Sequence, residues 1–406
     1  LCCDSPGVCF GFCYVSYVKA LRCGGYNAGN GNNFVFCIGR HSEYVLFENC
    51  YSYGNGRYSF IIGGGHDGET TTHGCILRSC VARLCIDAAM GKPVAAYAIY
   101  STSNCYLQNC IAIDADQYAA IARYGELRGG CCSVPSTTEP SYNTRIDRCL
   151  SLNSRIAGLT TTYDSHGVYF RDCVWWDINA VSNSVNCWIR GENTQFSNCT
   201  FGLSFSPLAF MNSYEETTGR NQTIMKNSLF CLIQGTAETC AFRNMAVEQY
   251  NCFYSNSVNI RSETQAILPP HATDITNANP LYSASNTNGG LRYLARIETN
   301  SNLSGVGDGG KAIGASAVKL LGRSGTLWGE SGWDEEQGPM WPFPSEELIQ
   351  RKMKAFRGTN SYNSVVVSGN RGFCADGTGL YGGPITLTSY IWEYLGNPLP
   401  PEIYAP

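Results

Sequence analysis

Short apolar runs recur along the first three quarters of the chain, and each run ends in the same way. The pattern is apolar, any, apolar, any, a small polar residue or Arg, and then Cys, as in Val45-Leu46-Phe47-Glu48-Asn49-Cys50. It returns at Cys75-Ile76-Leu77-Arg78-Ser79-Cys80 and at Cys105-Tyr106-Leu107-Gln108-Asn109-Cys110. Apolar residues at every second position predict short β-strands with one buried face.

The last residue of each run serves as a marker of the repeat. We assign one structural column to Cys23, Cys50, Cys80, Cys110, Cys149, Cys173, Cys199 and Cys252. Ser228 takes the place of Cys in the repeat between Cys199 and Cys252. Most markers lie 24 to 30 residues apart, and a second apolar run such as Phe34-Val35-Phe36 falls between them. Repeats of this length, built from short strands, are typical of a solenoid, because one unit cannot bury its apolar face alone. The longer step of 39 residues between Cys110 and Cys149 predicts a loop insertion near residues 125–142.

These units resemble the coils of bacterial secreted right-handed parallel β-helix proteins, the superfamily that includes pectate lyases, polygalacturonases and alginate epimerases. Asn279-Pro280-Leu281-Tyr282, Leu291-Arg292-Tyr293-Leu294 and Asp308-Gly309-Gly310-Lys311-Ala312-Ile313-Gly314-Ala315 are similar to the closing rung of many such proteins. The resemblance covers roughly residues 8–316. It implies an all-β, right-handed parallel β-helix, here assigned to residues 1–318. It implies no single activity, because the fold hosts several chemistries.

The period is lost after about residue 320, which predicts a separate C-terminal extension over residues 319–406. Trp328, Trp333 and Trp341 lie among prolines there, and Ser345 is a predicted N-cap of an amphipathic helix. A second short helix is predicted from Thr388 to Leu395. We expect this extension to pack over the C-terminal coils, since an open β-helix end exposes strand edges. A carbohydrate-stacking platform is the alternative role of the tryptophans.

Composition and charge narrow the class of protein. The chain has 44 Gly and 25 Tyr with only 15 % charged residues, which favours short strands and tight turns. A net charge of −4 without a basic run argues against a nucleic-acid partner. No apolar stretch approaches the roughly 20 residues of a membrane span. The chain opens without a signal peptide and reads as a mature product or a piece of a longer one. We expect an extracellular or cell-surface location.

The cysteine count of 22 allows several states. We expect the marker cysteines to be buried thiols that behave as small hydrophobes. Disulfides are the expectation for the turn or terminal residues Cys2, Cys3, Cys131 and Cys132. Zinc is not expected because no Cys-x-x-Cys pair has a partner pair, and covalent haem is excluded because Cys-x-x-Cys-His is absent.

Two His-carboxylate pairs are candidates for acid–base chemistry on a sugar. Asp164 precedes His166 by two residues, and His66 is followed by Asp67. The pair of Asp164 and His166 resembles the Asp-Pro-His stretch of alginate epimerases without its Pro. The pair of His66 and Asp67 resembles the Gly-His-Gly of polygalacturonases. The paired Asp and Arg-x-Lys of those hydrolases are absent, and the alternative is that all four are solvated turn residues.

Carboxylates in other turns are candidates for a calcium site. Asp87, Asp114 and Asp116, together with Asp164, would supply oxygen ligands if their turns stack. Nothing in their spacing demands a metal, so no cofactor is required and Ca²⁺ remains one option.

The incomplete catalytic set favours a structural or adhesive role, such as a scaffold, an adhesin or a fibre subunit. The N-terminal end shows no predicted cap, which suggests docking on a second copy or on another surface protein in a fibre. The alternatives are a polysaccharide lyase, hydrolase or epimerase, and a non-catalytic protein that binds a glycan through exposed Tyr and Trp.

Overall fold

The structure is a computed structural model of the full sequence. It describes residues 2–5, 8–28, 34–54, 56, 58–63, 72–84, 95–100, 102–115, 131–133, 141–154, 159–160, 165–179, 187–189, 191–206, 209–213, 223–245, 247–283, 285–287, 289–359, 366–380 and 382–396. The predicted insertion near residues 125–142 falls largely outside these ranges. The described chain is an all-β parallel β-helix, which confirms the predicted fold class.

Parallel strands form sheets along the helix axis. Sheet I contains Cys2–Ser5, Gly24–Ala28, Tyr51–Gly54, Val81–Leu84, Ile111–Ala115, Leu150–Ser154, Val174–Ile178, Thr200–Ser206, Leu229–Gly235 and Cys252–Tyr254. Sheet II contains Ser16–Leu21, Glu43–Glu48, Thr72–His73, Ile76–Arg78, Thr102–Ser103, Tyr106–Gln108, Ser141–Asp147, Ser165–Arg171, Gln195–Ser197, Ile224–Lys226 and Val247–Gln249.

The remaining strands of the coils form two smaller sheets. Sheet III contains Phe10–Cys13, Phe34–Gly39, Tyr58–Gly63, Ala95–Tyr100 and Cys131–Ser133. Sheet IV contains Leu159–Thr160, Cys187–Ile189, Ala209–Ser213, Cys240–Arg243, Ile260–Arg261 and Ile267–Leu268, of which the last strand is antiparallel. One further parallel bridge joins Cys252 to Ile275. The division of the chain at residue 318 stays a prediction.

The coil turns from sheet II to sheet I at one residue in the left-handed conformation. The φ angles lie between 51° and 57° at Arg22, Asn49, Ser79, Asn109, Arg148, Asp172, Asn198, Asn227 and Tyr250. Asn and Asp tolerate this conformation better than most residues, which explains the small polar residue before each marker. The marker itself follows the bend, and Cys50, Cys80, Cys110, Cys149, Cys173 and Cys199 are buried in the interior. Cys23, the first marker, is half-buried and packs against the same core.

The assignment of Cys252 to this column is wrong by one residue. The bend of its coil is at Tyr250, so Asn251 occupies the marker slot and accepts a hydrogen bond from the Ser228 N–H at 3.0 Å. Cys252 pairs instead with Leu229 and packs on the outer face of sheet I. Successive side chains of a strand point to opposite faces of the sheet. A shift of one position therefore moves a residue from the interior to the outer face.

The interior of the helix is filled by stacked columns of apolar residues. The inward column of sheet II contains Phe47, Leu77, Leu107, Ile146, Phe170, Phe196 and Met225. Aromatic rings stack from coil to coil, with centroids 4.6 Å apart for Phe170 and Phe196. This spacing matches the strand separation of a parallel sheet, so like residues pack on like residues.

A long segment after the coils returns along the column of bends. This segment, residues 307–339, is called the strap. Asn227 accepts from the Asp308 N–H at 2.7 Å, Asn198 donates to the Ala312 carbonyl at 2.6 Å, and Asp172 accepts from the Ser316 N–H at 3.3 Å. Further on, Asn109 binds both the N–H and the carbonyl of Leu321 at 3.0 and 2.9 Å, and Glu48 accepts from the Gly325 N–H at 2.8 Å. The bend side chains thereby satisfy the backbone of the strap. Two strands of this part, Lys319–Leu321 and Glu336–Pro339, pair antiparallel.

The C-terminal region, residues 340–396, contains the helices α1 (Glu346–Lys354) and α2 (Leu387–Leu395). It also contains the short 3₁₀ helix Gly372–Cys374 and the antiparallel pair Arg357–Thr359 and Val366–Ser368, and a further 3₁₀ turn, Asp308–Gly310, lies in the strap. Ser345 lies at the predicted N-cap position of α1, but its φ is 60° and its hydroxyl caps no amide among the described residues. Thr386 caps α2 and forms a capping box with Ser389.

The C-terminal region covers the side of the helix and not only its last coils. Together with residues 291–317, it forms one apolar cluster with the outward residues of sheet I from Tyr51 to Cys252, including Val81, Ile111 and Val174. Sheet I is apolar on both faces, as parallel sheets covered on both faces are, so its outer face requires this cover. No described helix combines the length and the apolar character that crossing a membrane would require.

Candidate functional site

The strap covers the outer face of sheet II over its first coils and leaves the later coils open. Leu46, Ile76 and Tyr106 are successive outward residues of sheet II, and they are buried beneath the strap residues Leu327, Trp328 and Trp333. In the next coils the same outward column continues as Arg145, Tyr169 and Gln195, which are half-buried. An open cleft therefore begins where the outward column changes from apolar to polar.

This cleft has a volume of about 350 Å³. The residues that line it are Asn143, Arg145, Asp147, Tyr169, Phe170, Arg171, Gln195 and Ser197. They come from three adjacent strands of sheet II, so a stacked backbone ladder fixes their spacing. We call this feature the sheet II cleft.

Charged side chains at the base of the cleft form a compact ionic group. The Asp147 carboxylate accepts from Arg171 Nε at 2.9 Å and faces Arg145 Nη2 at 3.5 Å. Burial raises the pKa of Asp147, while the two guanidinium groups oppose that shift. Arg145 also faces Asp334 of the strap at 3.9 Å and lies over the ring of Tyr106. Two cations and one carboxylate give the lining a net positive charge.

Asp172 is a second buried carboxyl group, and it directly follows Arg171, which lines the cleft. Burial raises its pKa to about 7, and the charges of Arg148 and Arg171 act in the opposite direction. Its Oδ1 accepts from the strap at Ser316, and Arg148 Nε lies 3.9 Å from Oδ2. These contacts place Asp172 in the attachment of the strap.

Of the first predicted acid–base pair, the structure describes His166. Its Nδ1 lies 3.3 Å from Glu192 Oε2, and its ring stacks on Tyr142 with centroids 5.2 Å apart. His166 and Glu192 are both partly exposed. His166 is on a strand that also forms the cleft, and Glu192 forms an isolated parallel bridge with it, just before the strand Gln195–Ser197. Asp164, and both members of the other pair, His66 and Asp67, lie outside the described residues.

The structure describes Asp114 among the predicted calcium ligands. It is buried under the C-terminal region, where its Oδ1 accepts from Asn153 Nδ2 at 2.7 Å and from the Tyr390 hydroxyl at 3.1 Å. Asp114 therefore helps to dock α2 on sheet I, on a different sheet from His166. Asp87 and Asp116 lie outside the described residues. Within the part of the chain that the structure describes, no group of three or more His, Cys, Asp or Glu could hold a metal ion.

Sequence reasoning did not find a pair of adjacent carboxyl groups at the end of the helix. Glu248 and Asp274 both accept from the His271 N–H, at 2.9 and 2.8 Å. Burial and the neighbouring carboxyl raise the pKa of Glu248 to about 8. Glu248 continues the inward column after Met225, so a polar residue at an apolar position was the available signal.

Sequence reasoning also missed the sheet II cleft, although its signal was present. The "any" positions of the repeat are the outward residues, and they change from Leu46 and Ile76 to Arg145 and Tyr169. Which of these positions the strap would cover could not be read from the repeat itself.

Comparisons with known proteins give a likeness of fold. No protein-family model and no curated protein matches the chain. Among solved structures, the chain is similar to a double-mutant tailspike protein of E. coli bacteriophage HK620, with 8 % identity, 64 % of this chain and 47 % of that chain covered, and a TM-score of 0.37. The chain is also similar to a single mutant of that tailspike in complex with pentasaccharide. The identity is 8 %, 62 % of this chain and 49 % of that chain are covered, and the TM-score is 0.34. The chain spans about half the length of these tailspike chains, and its resemblance to the pectate-lyase-like superfamily stays a prediction.

Proposed function

We propose that this β-helix is an extracellular or cell-surface protein with an adhesive role, and that the sheet II cleft binds an anionic oligosaccharide. The observation that carries the proposal is the placement of Tyr169 on an open face of the solenoid, opposite Arg145 of the neighbouring strand and two residues before Arg171 of its own strand.

The lining groups suit the chemistry of a charged sugar. An aromatic ring offers an apolar face to the C–H side of a pyranose, while its hydroxyl remains available for hydrogen bonding. Guanidinium groups bind carboxylates or sulfates through paired N–H donors. Gln195 and Asn143 add amide donors and acceptors at the rim. The net positive lining favours an anionic ligand over a neutral one.

The same lining supports binding more than hydrolysis. Most glycoside hydrolases use two carboxyl groups that flank the scissile bond. Among the described residues that line the cleft, Asp147 is the single carboxyl, and two guanidinium groups already hold it. Open strands of regular spacing suit a polymer that extends over several coils.

The proposal is tested with an array of oligosaccharides that contain uronic or sialic acid, printed beside their neutral counterparts. We expect binding to acidic members, and we expect Tyr169→Ala and Arg145→Gln to reduce it at least tenfold, the loss of about 1.4 kcal/mol or more. Tyr14→Ala, which removes an exposed tyrosine outside the cleft, is the matched control. Equal binding by the Tyr169 and Tyr14 variants, or preference for neutral sugars, would contradict the proposal. Release of sugar products would favour the enzymatic alternative.

A further inference from the structure

A second cavity lies where the strap meets α2, away from the sheet II cleft. Its volume is about 370 Å³. Its lining comprises Arg296, Val318, Lys319, Gln337, Gly338, Pro339, Trp341 and Trp392. The predicted site residues and the proposed oligosaccharide site make no use of it.

The walls of this cavity are mostly apolar and rigid. Trp341 and Trp392 are almost fully buried, and their rings meet edge to face with centroids 5.9 Å apart. The Trp341 indole N–H donates to the Ala317 carbonyl at 2.8 Å, which fixes that ring. Val318 and Pro339 extend the apolar surface. Such a surface accepts a flat apolar body at little conformational cost.

The polar groups of the cavity are mainly donors. The buried Trp392 indole N–H has no hydrogen-bond partner among the residues that the structure describes. The Arg296 guanidinium lies 5.8 Å from the centroid of the Trp392 ring and 5.1 Å from that of Tyr293. Lys319 lies at the exposed rim. A ligand that meets these donors must supply acceptors and negative charge.

Two carboxylates near the cavity pair with its two cations from outside the lining. Glu298 lies 3.6 Å from Arg296, and burial raises the pKa of Glu298. Glu336 lies 3.4 Å from Lys319 and is shared with Arg148. Neither carboxylate is among the lining residues. The groups that face the cavity therefore favour an anion.

We propose that this cavity binds a small carboxylate with a planar aromatic body. At about 30 Å³ for each water-sized group, the volume fits roughly 12 non-hydrogen atoms. A neutral sugar of that size is disfavoured because it carries no charge to meet Arg296 and Lys319, and because its many hydroxyl groups leave less apolar surface for the indole rings. The aromatic body lies against the indole rings, and the carboxylate meets Arg296 and the Trp392 N–H.

Calorimetry on the full chain tests the proposal with phenylacetate, its neutral isostere phenylacetamide, and glucuronate. We expect phenylacetate to bind at least about tenfold more tightly than the other two, the effect of one charge-assisted hydrogen bond. Arg296→Gln should weaken phenylacetate binding about tenfold and leave phenylacetamide unchanged. Trp392→Phe keeps an aromatic ring, although a smaller one, and removes the N–H, and it should weaken binding about fivefold.

Lys311→Gln, which neutralises an exposed cation outside the cavity lining, is the control, and thermal unfolding checks that each variant is folded. Equal affinity for the acid and the amide, no effect of Arg296→Gln in a folded variant, or no binding at millimolar concentration would overturn the proposal. Tyr169→Ala should leave this binding unchanged, so the two sites can fail separately.

Discussion

The carboxyl pair at the C-terminal end of the helix predicts a specific dependence of stability on pH. Glu248 follows Met225 in the inward column, and the chain from His271 to Asp274 lies across it. Asn251 donates its N–H to Asp274 at 2.8 Å and its amide to Glu248 at 3.3 Å. Two carboxyl groups this close share one proton, because two adjacent negative charges repel each other.

The magnitude follows from the pKa of Glu248, which is about 8 against an ordinary value of 4.5. At about 1.4 kcal/mol per unit this difference corresponds to about 5 kcal/mol, and solvent screening of a half-buried group reduces it to about 2 kcal/mol. The folded state keeps a proton that the unfolded chain releases above its lower pKa. The free energy of unfolding therefore falls as the pH rises from about 4.5 to about 8.

Glu248→Gln tests this reasoning, because the amide still accepts from His271 and can donate to Asp274 without carrying charge. We expect little change in the free energy of unfolding at pH 5 and a gain of about 2 kcal/mol at pH 9. Guanidinium denaturation gives the free energies, and hydrogen exchange of the His271 and Asn251 amides reports the local effect. Glu263→Gln, at an exposed position nearby, is the control. A variant that keeps the wild-type dependence on pH would refute the shared proton.

Two further predictions concern the strap and the cysteines. Asn109→Ala should lower the free energy of unfolding by about 2 to 4 kcal/mol, because it removes two buried hydrogen bonds to the backbone of Leu321 and places Ala in the left-handed conformation. Guanidinium denaturation measures this, and an equal loss in Asn104→Ala, at another left-handed bend, would contradict a role of the strap contact. Cys13 is exposed, and its hydrogen bond with Cys37 lowers its pKa to about 6, so iodoacetamide at pH 7 should alkylate it at least about tenfold faster than the buried marker Cys110. Peptide mass mapping over time checks this order, and simultaneous alkylation would show that the thiolate is not stabilised.

The sequence by itself determined the strands of the coils and the recurring polar residue that precedes each marker. Alternating apolar residues such as Val45 and Phe47 indicate strands, because side chains of a strand point to opposite faces. The polar residue before each marker was visible in the repeat, but its left-handed bend became clear only from the φ values. Both helices of the C-terminal region were also predictable, from apolar residues at helical spacing in a local segment.

The tertiary structure decided what covers the coils and where a ligand has access. Contacts such as Asn109 with Leu321 join residues more than 200 positions apart, and no local pattern encodes them. The register slip at Cys252 has the same origin, since the bend at Tyr250 is fixed by stacking on the previous coil. The sheet II cleft exists because the strap buries Tyr106 but leaves Tyr169 open. Two tyrosines in equivalent positions of the repeat thus differ only in what a distant segment packs upon.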